Sequence, residues 1–454
     1  MIAKLFGTDG IRGEVGKYPL TQEGVFNVGQ TLGLWLKQQF PQAQGPLKVI
    51  IGKDTRESGE QLERALTEGL RLNGLTVQQI GVCSTPAVAY LTCALGAHLG
   101  VAISASHNPG SDNGIKLFNS KGYKLFTSEE QEIETAFSQF PASNQQVKLK
   151  LDRLTKEDEC LSLYTKFAKS GLNGANLSTL TVVLDCAFGS LSKIAPQTFR
   201  ELGAKVVAIN TEADGKNINV NCGTLYPQKM AEAVLQHKAD VGIAFDGDGD
   251  RLMLSDEQGN ILDGDQMLAI LSKYYHQRKQ LAADTVVCTL MSNIGLEVYL
   301  KSCGLRMVRT KVGDKYVLEE MLKQKACLGG EQSGHIIILQ RTTTGDGLIT
   351  ALELIKIMLE ANKPLSKLAE KLEKFPQVLL NVKVKERKPL AEIPGLNAEV
   401  KQQQEKLGES GRISVRYSGT EKLARVMVEG RKLQQVRSIA EALAKKIEDA
   451  VGEN

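Results

Sequence analysis

Two stretches far apart in the chain combine reactive side chains with the turn residues needed to expose them. In Ile103-Ser-Ala-Ser-His-Asn-Pro109 the apolar run Leu99-Gly-Val-Ala-Ile103 leads directly into Ser, His, Asn and Pro. A buried strand ending this way delivers a hydroxyl to a sheet edge, so Ser106 is a candidate nucleophile, with His107 beside it and Lys116 shortly downstream. Serines in such places commonly serve turn chemistry alone. What favours the reactive reading is the second stretch, Asp246-Gly-Asp-Gly-Asp-Arg251, which sets carboxylates at alternate positions after the apolar run Val241-Gly-Ile-Ala-Phe245. If the chain tightens at Gly247 and Gly249, Asp246, Asp248 and Asp250 converge on a hard cation such as Mg2+, leaving room for phosphate oxygen or water. A calcium loop of the EF-hand type fits Asp246, Asp248, Asp250 and Glu257 superficially. It needs glycine where this chain has Arg251, however, and helical flanks where Val241–Phe245 and Leu252–Ser255 read as strands. The plainer alternative is a solvated acidic hairpin. Arg251 argues against it, because a guanidinium beside three carboxylates either neutralises them or joins a cation in holding a phosphoryl group.

Two further loops have suitable chemistry. Gly329-Gly-Glu-Gln-Ser-Gly-His335 sets the carboxylate of Glu331, the hydroxyl of Ser333 and the imidazole of His335 on permissive backbone, a set suited to hydrogen bonds with adjacent sugar hydroxyls or to a plain glycine-rich turn. Arg416-Tyr-Ser-Gly-Thr-Glu421, followed by Arg425, offers guanidinium groups, the hydroxyls of Ser418 and Thr420, and loop amides including that of Gly419, a cradle for a phosphate dianion. Without the arginines, Ser-Gly-Thr would read as a turn or helix cap.

These loops require a scaffold of strands and helices. At 454 residues the chain predicts three or four domains. Lys48–Gly52, a helical pattern through Leu62, Leu66 and Leu70, Asn73-Gly74 and Thr76–Val82 form one βαβ unit. The same strand, helix, glycine, strand order recurs over Thr181–Asn210 and over Thr285–Thr310, so three α/β domains of related build with mixed or parallel sheets are expected. After Phe375-Pro376 the pattern changes to an alternating strand, the polar stretch Asn397–Ser410, strands near Ile413–Arg416 and Val426–Val428, and a terminal helix striped by Val436, Ile439, Leu443, Ile447 and Val451, a small α+β domain. Lys383–Lys388 reads as the alternating exposed face of a strand, and Pro141–Gln146 as a weakly structured surface segment. A net charge of +4 without a basic run interleaved with aromatics speaks against a nucleic-acid partner. Eight cysteines without C-x-x-C spacing read as reduced, mostly core residues, and with no signal-peptide region or spanning apolar stretch the expectation is a soluble cytoplasmic protein without membrane association.

Together with Phe6-Gly-Thr-Asp-Gly-Ile-Arg-Gly13, the four loops occur in the order seen in the α-D-phosphohexomutase superfamily, which the chain resembles from end to end. The forms Phe6–Gly13, Ile103–Ser106, Gly330–His335 and Ser418–Glu421 resemble its bacterial glucosamine branch rather than the mannose/glucose (phosphomannomutase/phosphoglucomutase) branch. The resemblance implies a heart-shaped, four-domain protein, divided here as 1–153 with the phosphoserine loop, 154–255 with the metal loop, 256–370 with the sugar loop and 371–454 with the phosphate loop. It implies that Ser106 carries a phosphoryl group and that Mg2+ bridges it to Asp246, Asp248 and Asp250. Glu331 and Ser333 would hold sugar hydroxyls, and Arg416, Ser418, Gly419, Thr420 and Arg425 the distal phosphate. The implied reaction passes from glucosamine 6-phosphate through glucosamine 1,6-bisphosphate to glucosamine 1-phosphate, a hexosamine phosphate supplied to amino-sugar and cell-wall precursor synthesis, by a monomer or homodimer. Arg12, Lys116 and Arg251 would neutralise charge around the serine, and Lys116, His107 or His335 would move protons. The chain departs from the usual pattern at Tyr417 and Lys422, where prolines are common, at Lys315 in place of arginine, and at Phe188 in place of asparagine. Two other classes share part of this set. A metal-dependent phosphatase would give inorganic phosphate as product, and a non-catalytic sugar-phosphate sensor would have no need of Ser106 with three metal carboxylates.

Overall fold

The computed structural model describes residues 5–139, 157–418 and 422–453. Pro141–Gln146, the expected boundary at 153/154, and Gly419 and Thr420 therefore lie outside the described residues. The chain forms two compact units, one running to Leu290 and resuming over Val308–Ala369, the other made of Met291–Met307 and the chain from Glu370.

The first sheet holds β1 (Ile11–Glu14), β2 (Lys48–Lys53), β3 (Thr76–Val82), β4 (Leu99–Ile103) and β5 (Asp112–Asn119) in the order β1-β5-β4-β2-β3. Here β2 runs parallel to β3 and β4, while β5 turns back antiparallel to β4. The second sheet repeats this with β6 (Thr181–Asp185), β7 (Lys205–Ile209), β8 (Val241–Phe245), β9 (Leu252–Ser255) and β10 (Ile261–Leu262), in the order β10-β9-β8-β6-β7. The third has β11 (Thr285–Thr289), β12 (Arg306–Thr310), β13 (Leu328–Gly330) and β14 (Ile336–Ile338), in the order β12-β11-β13-β14. Superimposing the three orders shows one plan. The last parallel strand of each domain is followed by a strand that turns back antiparallel, and that turn is residues 104–111, 246–251 and 331–335. Three of the four loops singled out from the sequence are thus the same connection in three related domains, at the carboxyl ends of parallel strands, where open α/β sheets bind ligands.

Burial explains the strands. β4 and β8 are buried at every position, as expected of near-continuous apolar strands covered on both faces. Around the first sheet, the helix Gln22–Gln39 begins at Thr21, whose hydroxyl accepts from Gly24 N–H at 3.0 Å, and buries Val25, Val28, Leu32 and Leu36 on one stripe.

The other compact unit contains the helix Ile294–Ser302 and a sheet of β15 (Gln377–Lys383), β16 (Arg412–Tyr417) and β17 (Leu423–Glu429), ordered β15-β17-β16 and antiparallel throughout. The terminal helix Leu433–Val451 buries Val436, Ile439, Leu443, Ile447 and Val451, the stripe read from the sequence. One reading is corrected, and one stretch without an assigned element gains one. The strand expected over Lys383–Lys388 ends at Lys383, with a single bridge beyond it at Val384. The polar stretch Asn397–Ser410 is mostly helix, Leu396–Leu407, whose one fully buried residue is Leu396. All eight cysteines are free, six of them buried, with Cys93 exposed and Cys303 partly so. Among the described residues no helix is long and apolar enough to cross a membrane.

Candidate active site

The β4–β5 turn holds Ser106 in a left-handed backbone conformation, φ 52°, with no surface exposed. For a residue with a Cβ this costs on the order of 1–3 kcal/mol, so its surroundings must enforce it. Ser106 N–H donates to Ser104 Oγ at 2.9 Å, and Asn108 N–H closes a turn onto Ala105 O at 3.1 Å. The outcome is that Ser106 Oγ donates to Asp246 Oδ2 at 2.6 Å and lies 3.3 Å from His107 Nδ1. Burial first, then the positive charges of Arg251 and Arg12, lower the His107 pKa to about 4, so its ring is neutral at pH 7.

The second turn brings Asp246, Asp248 and Asp250 together, with one ligand oxygen of each within 4.8 Å of the others. Gly249 takes φ 71°, and Gly247 has no room for a Cβ, which would meet Ser106 O at 2.7 Å and Asn219 Nδ2 at 2.9 Å. Burial, then Asp250 and Asp248, push Asp246 well above the ordinary carboxylate range. A cation is what such crowding calls for, and the donor set fits one. Asp248 Oδ1 and Asp250 Oδ1 are buried without a hydrogen-bond partner, a cost of about 1–3 kcal/mol each unless they ligate something, and three oxygen donors suit a hard divalent ion.

Around these carboxylates runs a closed ring of alternating groups. Lys116 Nζ meets Asp250 Oδ2 at 3.0 Å, Asp250 Oδ2 lies 3.7 Å from His335 Nδ1, and His335 Nε2 lies 3.5 Å from Asp314 Oδ2. Lys124 pairs with both Asp314 and Asp9, and Asp9 Oδ2 returns to Lys116 at 3.0 Å. Lys116 also bonds Asp248 Oδ2 at 2.7 Å, and although burial works against its charge, Asp248, Asp250 and Asp9 hold it well above the ordinary lysine value. Burial likewise opposes a charge on His335, while Asp250 and Asp314 raise its affinity for a proton. Its Nε2 accepts from Gly345 N–H at 3.0 Å, so in the neutral ring the proton sits on Nδ1, facing Asp250. Arg12 pairs with Asp9 and reaches Ala105 O at 3.3 Å, and Arg251 Nε stands 3.9 Å from Asp250.

In the third turn Glu331 Oε1 accepts from Gly313 N–H at 3.1 Å, and Ser333 Oγ lies 3.5 Å from Glu331 Oε2. Lys315 is turned to Glu130, with which it forms an ion pair. Phe188, φ 52°, uses its carbonyl to accept from Thr55 Oγ1 at 2.6 Å. In the other compact unit, Arg416 and Arg425 stand directly opposite each other on β16 and β17. Ser418 there is buried, and Tyr417 donates its hydroxyl to Lys388 O at 2.6 Å.

Reading the residues alone missed Asp9, Lys124 and Asp314, which complete the ring, and Asp54, Arg56, Thr85 and Asn219. Thr85 donates its hydroxyl to Asp248 Oδ2, and its amide bonds Asp248 O at 2.9 Å. Asp54-Thr-Arg56 had a usable signal, since it follows the parallel strand β2 at the edge where the other loops emerge.

Models of the phosphoglucomutase/phosphomannomutase family match the chain domain by domain: α/β/α domain I over residues 3–142, domain II over 162–259, domain III over 263–375, and the C-terminal domain over 379–446. The chain is 44% identical over 457 residues to a phosphoglucosamine mutase of Syntrophus aciditrophicus, covering 99% of this chain and 100% of that protein. To a phosphoglucosamine mutase of Desulfovibrio desulfuricans it is 45% identical over 455 residues, 99% of each. A phosphoglucomutase/phosphomannomutase family protein of Burkholderia thailandensis, solved by crystallography, shares the fold with a TM-score of 0.80 at 22% identity over 99% of this chain and 98% of that one.

Proposed function

Because the chain belongs to the phosphoglucomutase/phosphomannomutase family, and within it to the phosphoglucosamine mutases, we propose that it interconverts glucosamine 6-phosphate and glucosamine 1-phosphate with Ser106 as phosphoryl carrier. The observation that carries this reading is the contact of Ser106 Oγ with Asp246 at the mouth of a converged carboxylate triad. In the forward direction the bond between phosphorus and Ser106 Oγ breaks as one forms to the free sugar hydroxyl, which gives up its proton. The resulting glucosamine 1,6-bisphosphate turns over, Ser106 Oγ bonds the other phosphorus, and a proton returns to the freed hydroxyl. Asp246, Asp248 and Asp250 would hold Mg2+, which would supply charge neutralisation at the transferring group. Lys116, set among Asp9, Asp248 and Asp250, adds charge beside the transferring group and is one candidate to move the proton. Arg12 and Arg251 add charge on either side. His107 at Ser106 Oγ and His335 between Asp250 and Asp314 are the other two candidates. Glu331 and Ser333 offer acceptors and a donor to sugar hydroxyls, and Arg416, Ser418 and Arg425 offer the chemistry for the phosphate that is not transferred.

Free cysteines and a small anionic substrate suit a cytoplasmic enzyme. Incubation with glucosamine 6-phosphate, Mg2+ and a trace of bisphosphate tests the reading. Appearance of glucosamine 1-phosphate is expected, at a higher kcat/KM than for glucose or mannose phosphates. Release of inorganic phosphate alone would make the protein a phosphatase, and a clear preference for mannose or glucose phosphate would move it to the neighbouring branch.

A further inference from the structure

The geometry points to Arg56 as a positioning residue for phosphoryl transfer, one that holds the backbone of the Ser106 turn in its productive conformation, with Asn219 completing the clamp from the second domain. The inference rests on Ser106 being the phosphoryl carrier. Arg56 has a fully buried side chain and donates every N–H of its guanidinium. Nε goes to Asp54 Oδ2 at 3.0 Å, Nη1 to Pro109 O and to Asp112 O (2.9 Å), and Nη2 to Ser106 O (3.0 Å) and Asn108 O (2.8 Å). Five donors in a rigid plane therefore meet four carbonyls of one turn and the carboxylate that neutralises them.

The turn is held from its other end by the same carboxylate. Ser104 Oγ donates to Asp54 Oδ2 at 2.6 Å and accepts from Ser106 N–H at 2.9 Å. Asn219, itself at φ 61°, donates Nδ2 to Ser106 O at 2.9 Å and to Asn108 O at 3.2 Å. Both peptide groups of Ser106 are thus fixed, which is what keeps a non-glycine residue at positive φ and aims Oγ at Asp246. Arg56 spends its charge on Asp54 and its protons on carbonyls, so it acts on the orientation of the reacting oxygen and not on the phosphate. Transfer in both directions requires Oγ in line with phosphorus, and small misplacements of a reacting atom are costly in rate. A lysine at this position keeps the charge but offers three protons from one nitrogen, which cannot span four carbonyls.

The test compares full-length Arg56→Lys, Arg56→Ala and Asn219→Asp with the unaltered enzyme, in steady state with glucosamine 6-phosphate and in single-turnover transfer from enzyme phosphorylated on Ser106. Asn219→Asp keeps shape and tolerance of positive φ while replacing the donor with an acceptor facing two carbonyls. We expect Arg56→Lys to lower kcat and single-turnover transfer about 30- to 100-fold with KM changed by no more than about threefold. Arg56→Ala should recover part of its transfer rate with added guanidinium and none with equal ammonium, and Asn219→Asp should lose about tenfold in kcat. Transfer per phosphorylated site at the unaltered rate in the variants would overturn the inference, leaving Arg56 a folding residue only. Should both Arg56 variants fail to fold, Asn219→Asp decides alone. If the unaltered protein itself fails to interconvert hexose phosphates, the functional reading falls, and that is seen before any variant is made.

Discussion

The Ser106 turn with its ring of charges and the C-terminal Arg416 loop are both proposed to meet phosphate, and they are built in different ways. Around Ser106 every cation already has carboxylates: Lys116 has Asp9, Asp248 and Asp250, and Lys124 has Asp9 and Asp314. On β16 and β17 Arg416 and Arg425 face each other as a like-charged cross-strand pair, and both are partly exposed. Interlocked ion pairs fix atoms to the tolerance that bond making needs, because moving one group unpairs several buried charges. A phosphate that is exchanged once per cycle, as proposed for the Arg416 loop, is better met by partly exposed groups than by a locked network.

The largest expected effect strikes the first region at its centre. Ser106→Ala removes the hydroxyl proposed to carry phosphate, so kcat should fall by roughly 10^4 or more, and added glucosamine 1,6-bisphosphate should not restore it. Substantial turnover by that variant would place the carrier elsewhere. Next, chelation of divalent metal should stop the unaltered enzyme and Mg2+ should restart it. Asp248→Asn should cost about 10^2- to 10^3-fold and raise the Mg2+ concentration needed for half-maximal rate. An enzyme indifferent to chelator would mean that the triad serves Lys116 alone. Arg416→Lys probes the second region. Losing bidentate contact should raise KM about tenfold with little change in kcat, and a kcat loss larger than the KM rise would erase the distinction drawn between the two regions.

The smallest effect isolates what counter-charges do, through a buried carboxyl outside the ring. Asp346 caps the helix Gly347–Ala361, accepting Ile349 N–H at 2.9 Å, and receives the Tyr164 hydroxyl at 2.9 Å. Burial raises its pKa to about 6 from 3.8, against weaker opposition from those hydrogen bonds. Because the folded form binds the proton more tightly, this contribution to stability is fully present below pH 3.8 and is lost as pH rises through 6, by roughly 2–3 kcal/mol in all. Asp346→Asn stays neutral and can still cap the helix. Its Tm should therefore gain on the unaltered protein by a few degrees between pH 4.5 and 7.5. Parallel Tm profiles across that range would show that Asp346 is not held protonated.

Much of this centre was legible because its reactive residues sit in short local patterns. Ser106 follows a continuous apolar strand, the three aspartates alternate with glycine, and the three repeats share one strand, helix, glycine, strand order. The groups that complete the centre have no such pattern. Lys124 meets Asp314 across 190 positions and Asn219 meets Ser106 across 113, so only folding reveals the pairings. Asp9 lies inside a motif noticed for its arginine, and nothing local shows that its carboxylate serves two lysines. The helix Leu396–Leu407 escaped notice because it buries almost nothing and so lacks an apolar period, its shape owing more to pairs such as Gln403 with Glu399.

The ion-pair ring also imposes an order of assembly on a chain made from its N-terminus. Lys116 belongs to the first domain, whose sheet can close as soon as β5 has emerged, yet Asp248 and Asp250 follow it by 132 and 134 residues. At synthesis rates of 5–20 residues per second that is a delay of about 7 to 27 s, during which Asp9 alone of the three carboxylates is present to balance a lysine destined to be 1% exposed. The nascent first domain must keep that ammonium hydrated, although its own Arg56, Asp54 and Ser104 can already grip the serine turn. Arrival of the acidic loop then dries the lysine and gives Ser106 Oγ its partner in Asp246, so both contacts of the candidate centre form as the second domain docks onto the first.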